Sequence, residues 1–141
     1  MPASGSQPVI GQDSQRRRRL ADAVGPCYSA RGIAGELGLS VEEVATLVVR
    51  CGALCLTTSD HHAVFPAFQV HNGRIVRKLG PVLRTLRSGV DDPWTWALWL
   101  NSVPPLVDGD TPHPSRIAQL VAGDIDTVLR AAERSAWSWR S

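Results

Sequence analysis

The stretch RGIAGELGLSVEEVATLV occupies residues 31–48, and its spacing sets the expectation for the fold. Ser29 is suited to cap a helix running through Leu37, Gly38 to turn the chain, and Ser40 to cap a second helix reaching about Arg50, with Gly52 just past its end. Ile33, Ala34, Leu37, Gly38, Leu39, Val44 and Leu47 fall where a helix-turn-helix needs its packing residues. Ala34 is small enough for close helix approach, and Gly38 tolerates the positive φ of the tight turn. Ser40-Val41-Glu42-Glu43 reads as a capping box, with Glu43 reaching back to the Ser40 amide.

A helix-turn-helix with this register turns Ser40, Val41, Glu42, Ala45, Thr46 and Val49 toward a DNA groove. That set holds no Arg, Lys, Asn or Gln, the side chains that most often read base edges. Glu42 can accept from a cytosine amino group, but an exposed acid at a helix start repels phosphates. The cations lie elsewhere: Arg16, Arg17, Arg18 and Arg19 in one run, then Arg31, Arg50, Arg74, Arg77 and Lys78. Together with Ser40, Glu42 and Thr46 they form the candidate DNA-binding set, in which the cations hold phosphates around a weakly reading helix.

The chain has 141 residues, 43% of them hydrophobic, which fits one domain or two small ones sharing a core. A net charge of +2 hides a basic front and an acidic back, with Asp91, Asp92, Asp108, Asp110, Asp124 and Asp126 following the cations. Residues 1–15, rich in Ser, Gly, Gln and Pro, are expected to be a disordered tail. Three cysteines cannot pair completely, and no apolar run suggests a signal peptide or membrane span. The expectation is a soluble, cytoplasmic protein with reduced thiols.

A first helix is expected over Gln15 to Val24, ended by Gly25-Pro26. ALCLTT, AVF and FQV are β-prone, and Asn72-Gly73 is a turn signal, so a hairpin or wing is expected around residues 54–77. Pro66 should keep its strand short or at an edge. Helical pattern returns at Gly80–Ser88, Pro93–Asn101 and Ser115–Ala122. Asp124 opens a last helix with Ile125, Val128, Leu129 and Ala132 as its apolar stripe.

Cys51 and Cys55 followed by His61-His62 invite a zinc reading, but adjacent histidines rarely ligate one ion together, and small packed thiols are the better expectation. His71 and His113 read as solvated turn residues. No nucleophile motif, phosphate-cradling glycine loop or His/carboxylate cluster stands in the sequence, so neither catalysis nor a cofactor or metal is expected. Five tryptophans form two groups, Trp94, Trp96 and Trp99 in DDPWTWALWLN, and Trp137 and Trp139 in the terminal AWSWRS. The first group reads as core packing with one indole partly exposed, the second as contact residues.

The last third resembles the toxin-binding domain of Xre/MbcA/ParS-type antitoxins. Asp-Pro-Trp, an apolar helix ending in WLN, a Pro-rich loop with LVDGDTP and then LVAGDIDTVLRAAER carry the likeness. Leu100, Pro105, Leu106, Gly109, Pro112, Leu120, Gly123, Asp124, Val128 and Leu129 fill the family's pattern, with Leu106 to Gly109 spaced one residue wider. VFPAFQV resembles the stretch such proteins set before this domain.

The resemblance implies a mainly α fold: a helix-turn-helix with a small central wing-like hairpin over residues 16–78 and a helical toxin-binding domain over residues 79–141. It further implies an antitoxin that covers the active site of a RES-type, NAD-degrading toxin with its C-terminal region. Trp94, Gly109, Pro112, Arg134, Trp137, Trp139 and Arg140 are the residues expected to touch the toxin. A homodimer or a hetero-oligomer with the toxin is expected, with double-stranded DNA as a further partner. The rival reading is a stand-alone helix-turn-helix regulator whose working surface is the helix pair, the wing and the basic arm.

Overall fold

The computed structural model describes residues 22–104 and 114–140. The basic run Arg16 to Arg19, the tail, most of the first expected helix and the loop with Pro105, Leu106, Gly109, Pro112 and His113 lie outside the described residues. Within them the chain is mainly helical with a small antiparallel sheet. Residues 22–24 are helical and Gly25 has a positive φ, as a stop there requires. The chain then runs through β1 (Cys27–Tyr28), α1 (Ala30–Leu37), α2 (Val41–Val49), β2 (Leu56–Thr57) and β3 (Ala63–Pro66). A 3-10 turn (Ala67–Gln69), β4 (Val70–His71) and β5 (Arg74–Ile75) follow, and the rest is helical: α3 (Leu79–Arg87), α4 (Pro93–Leu100), α5 (Arg116–Val121) and α6 (Ile125–Arg140).

Local chemistry starts and stops the first two helices where the spacing says it should. The Ser29 hydroxyl accepts from the Gly32 amide at 3.0 Å. Gly38 takes the left-handed conformation at φ 69°, which a side chain would strain. At Ser40 the capping box is complete, the hydroxyl accepting from the Glu43 amide at 3.0 Å and the Glu43 carboxylate from the Ser40 amide at 2.9 Å. The far end of α2 differs from expectation, because Cys51 rather than Gly52 adopts the left-handed conformation, at φ 56°.

The central region is more elaborate than one hairpin. β3 is the middle strand of a three-stranded sheet ordered β1-β3-β2, with Tyr28 opposite Phe65 and Leu56 opposite Val64. Pro66 therefore ends a central strand, and its strand is short but not at an edge. β4 and β5 form a separate two-residue ribbon closed by Asn72 and Gly73, both at positive φ. The FQV segment splits between the 3-10 turn and β4, instead of forming one strand.

That split has a visible cause. Gln69 is completely buried, and its side chain spans the gap to Leu54. Its Oε1 accepts from the Leu54 amide at 2.7 Å, while its Nε2 donates to the Leu54 carbonyl at 2.8 Å and the Pro66 carbonyl at 3.1 Å. The 3-10 turn brings the amide into that position and leaves the Gln69 carbonyl to accept from Val76 at 2.8 Å.

The buried apolar residues form two clusters, the larger of which includes Leu54. The smaller holds Ile33, Ala34, Val44 and Phe65. The larger draws Val24, Leu54, Leu56 and Val76 together with the buried faces of α3, α4, α5 and α6. Residues from both sides of position 78 thus share one core, and Ile75 packs against both clusters. α3 buries Leu79, Val82, Leu83 and Leu86, and α6 buries Val128, Ala131, Ala132 and Ala136. The alanine face lets the backbone of the α3 end come very near: a Cβ built on Gly89 would lie 2.5 Å from the Ala136 Cα, so only glycine fits.

Replacing Gln69 with leucine keeps the volume but leaves the Leu54 amide and carbonyl unpaired in the core. Each orphaned group costs about 1–3 kcal/mol, so Gln69→Leu should lower stability by roughly 2–4 kcal/mol. The check is a shift in the urea unfolding midpoint; a loss well under 1 kcal/mol would show that Gln69 does not hold this region together.

Candidate functional site

The outer face of α2 is built from the positions that the helix-turn-helix register turns outward. Ser40, Val41, Glu42, Ala45, Thr46 and Val49 are all exposed, Val49 at 80%. The Glu43 carboxylate is engaged in the cap, whereas Glu42 carries its charge on the open face. Beside this face runs an apolar groove of about 330 Å3, whose lining includes Ala30, Val48, Cys55, Ala63 and Phe65 as well as the exposed valines.

The described candidate cations are all exposed. Arg31 stands in the first turn of α1, Arg50 caps the C-terminal end of α2, and Arg74, Arg77 and Lys78 lie in and after the β4–β5 ribbon. The ribbon turn rests near the end of α1, where a Cβ on Gly73 would sit 3.4 Å from the Glu36 carbonyl oxygen. A cleft of about 460 Å3 opens between this ribbon and α5, with His71, Asn72, Arg74 and Arg77 on its polar side and Ile75, Leu120 and Val121 on its apolar side. His71 is exposed beside the ribbon turn, as expected, and also lines this cleft. Only the packing of α5 against the ribbon could reveal that, since Leu120 and His71 are far apart in sequence.

The zinc reading finds no geometry. His61 and His62 lie in the β2–β3 turn, which the Thr58 hydroxyl ties by accepting from the His62 amide at 3.0 Å. Asp60 approaches His62 across that turn at 3.6 Å. Cys51 is buried and accepts from Arg87 Nη1 at 3.5 Å. Cys55 is half-buried, and burial pushes its thiol pKa up, away from the thiolate a metal needs. Cys27 is exposed, unlike the other two thiols. Among the described residues no three His, Cys, Asp or Glu side chains come together as a metal site.

The first tryptophan group forms an internal bracket. Trp94 Nε1 donates to the Thr57 carbonyl at 3.1 Å, Trp96 Nε1 to the Val90 carbonyl at 2.8 Å, and Trp99 Nε1 to the Ser135 hydroxyl at 2.9 Å. α4 is thus tied to β2, to the linker before it and to α6. Trp94, expected at a toxin interface, is half-buried with its indole N–H used inside the protein. Arg116 lies over the Trp99 ring at 5.3 Å, and burial together with the charge of Arg134 lowers its pKa from an ordinary guanidinium's.

The second group corrects the picture of a contact tail. AWSWR is the last part of α6, with Ala136 fully buried and Trp139 packed against the main core. The stripe of small residues continues past the expected one, so the chain stays helical instead of extending. Trp137, on the other side of the helix, is 68% exposed with the Arg140 guanidinium 5.4 Å from its ring centroid. Arg134 and Arg140 are exposed too. Of the residues expected to meet a toxin, Arg134, Trp137 and Arg140 lie on the surface of one helix, while Gly109 and Pro112 fall outside the described residues.

Comparison with known proteins finds a likeness of fold. No family model matches the chain, and no curated protein matches it. Its fold is similar to the NMR structure of Rv2175c, with a TM-score of 0.66 and 24% identity over 79% of this chain and 81% of that one. At that identity the likeness concerns the fold. No helix among the described residues is long and apolar enough to cross a membrane.

The two terminal tryptophans should part in their energetics. Trp139→Ala should lower stability by roughly 1–3 kcal/mol, less than a fully buried tryptophan would. Trp137→Ala should change it by no more than about 0.5 kcal/mol. Thermal or urea unfolding of the two variants reads the contrast, and equal losses would contradict the assignment of core and surface.

Proposed function

We propose that the protein is a DNA-binding regulator that uses α1 and α2 as a helix-turn-helix and the β4–β5 ribbon as its wing. The observation that carries this reading is the outer face of α2: every position that the motif turns toward DNA is exposed, on a helix held by a complete capping box. Exposed cations at Arg31 and Arg50 on the helix pair, and at Arg74, Arg77 and Lys78 in and after the ribbon, offer phosphate contacts. Arg16 to Arg19 add four further charges ahead of the described residues. On this reading affinity comes mostly from phosphates, and α2 contributes the orientation and a limited reading of bases.

Binding of a fluorescent duplex should therefore weaken steeply with salt. Changing Arg74, Arg77 and Lys78 together to alanine should weaken binding uniformly across sequences and reduce the slope of log K against log salt by about 3. Absence of duplex binding at low salt would sink the reading, and an unchanged slope would remove the ribbon from the interface.

A second reading is the antitoxin that the sequence resembles, and Trp137 favours it. A large aromatic exposed on a helix surface, with an arginine over its ring, suits a protein interface better than solvent. Because Ala136 and Trp139 are packed, the contact would be made by the outer side of α6 and not by a free plug. Purification of the tagged protein from its host in high salt distinguishes the two readings. A stoichiometric partner retained by the native chain and lost with Trp137→Ala favours the antitoxin, and bare protein favours the regulator.

A further inference from the structure

The face of α2 that would meet DNA is made almost entirely of methyl groups. Val41 is 41% exposed and Val49 80%, and Ala45 lies exposed between them, one helical turn from each. Thr46 joins them, since its hydroxyl already donates to the Glu42 carbonyl at 3.1 Å and its methyl is the group left to offer. The adjoining groove is lined by apolar side chains. The polar members of the face are Ser40, whose hydroxyl accepts from the Glu43 amide at the helix cap, and Glu42, which only accepts.

In the major groove a guanine edge presents two acceptors, which Val41, Ala45 and Val49 have no donor to meet. Thymine presents a C5-methyl group, for which an apolar side chain is the matching partner. Adenine and cytosine present amino donors that Glu42 can accept. Arg50 at the end of α2 and Arg31 at the start of α1 supply charge complementary to the flanking phosphates. We infer that α2 reads DNA through the 5-methyl groups of thymine, with Val41, Ala45 and Val49 making the contacts. This rests on the DNA-binding reading and adds the feature of DNA that the helix recognises.

Two pairs of duplex polymers isolate that methyl group. Poly(dA-dT) and poly(dA-dU) differ only in the thymine methyl, and poly(dG-5-methyl-dC) and poly(dG-dC) differ by a methyl at the same major-groove position. The full chain should bind poly(dA-dT) more tightly than poly(dA-dU), by about fourfold for each methyl contact removed. Methylated poly(dG-dC) should bind more tightly than the unmethylated polymer. Val41→Ser combined with Val49→Ser, both at exposed positions, should bring the two ratios toward one while leaving the salt slope unchanged.

Equal binding of the paired polymers, or ratios that survive the double substitution, would overturn this inference and leave the DNA-binding reading standing. Failure to bind any of the four polymers would overturn both. Self-association that Val49→Ser abolishes, in a protein that binds no duplex, would assign the apolar face to a second copy of the chain.

Discussion

The carboxamide of Gln69 is the constraint on which the middle of the molecule depends. Between Gly52 and Val76 the strands are two to four residues long, too short to hold themselves together. Leu54 lies in the core with both its backbone groups turned to one buried side chain, which supplies a donor and an acceptor at once. A carboxamide sets an N–H donor and a C=O acceptor side by side, and burying it is favourable only because its bonding groups are met. The clamp also fixes the 3-10 turn that follows Pro66, and with it the position of the β4–β5 ribbon beside the helix pair.

Around that clamp the helical part is tightened by two devices of opposite character. α4 reaches outward with three indole N–H groups, each to a different neighbour, so large rings serve both as core and as directed hydrogen-bond donors. α3 and α6 instead meet through small residues, and the contact of Gly89 with the Ala136 backbone leaves no room for a Cβ. Close packing there keeps α6 helical to Arg140 and turns Trp139 inward and Trp137 outward.

The surface divides accordingly. The helix pair and the ribbon carry exposed cations around an apolar helix face, while the far end of α6 carries Trp137 between Arg134 and Arg140. A core shared by residues from both sides of position 78 packs these two surfaces onto one interior.

Caps, turn residues and helical periodicity were legible in the sequence because each is a short-range event. Ser29, Gly38, Ser40 with Glu43 and Asn72-Gly73 act on neighbours within a few residues, and all take the local roles their types suit. The exposed positions of α2 follow from the same periodicity. What tertiary structure alone decided are the pairings across long separations: β1 against β3, Gln69 with Leu54, Trp99 with Ser135 and Gly89 against Ala136. Two residues of strand carry no readable alternation, and a glutamine or a terminal tryptophan reads as solvent-facing until a partner distant in sequence buries it. The sequence determined where most helices begin, through short-range caps and turns; packing decided how far α6 runs and which polar groups and which rings became interior.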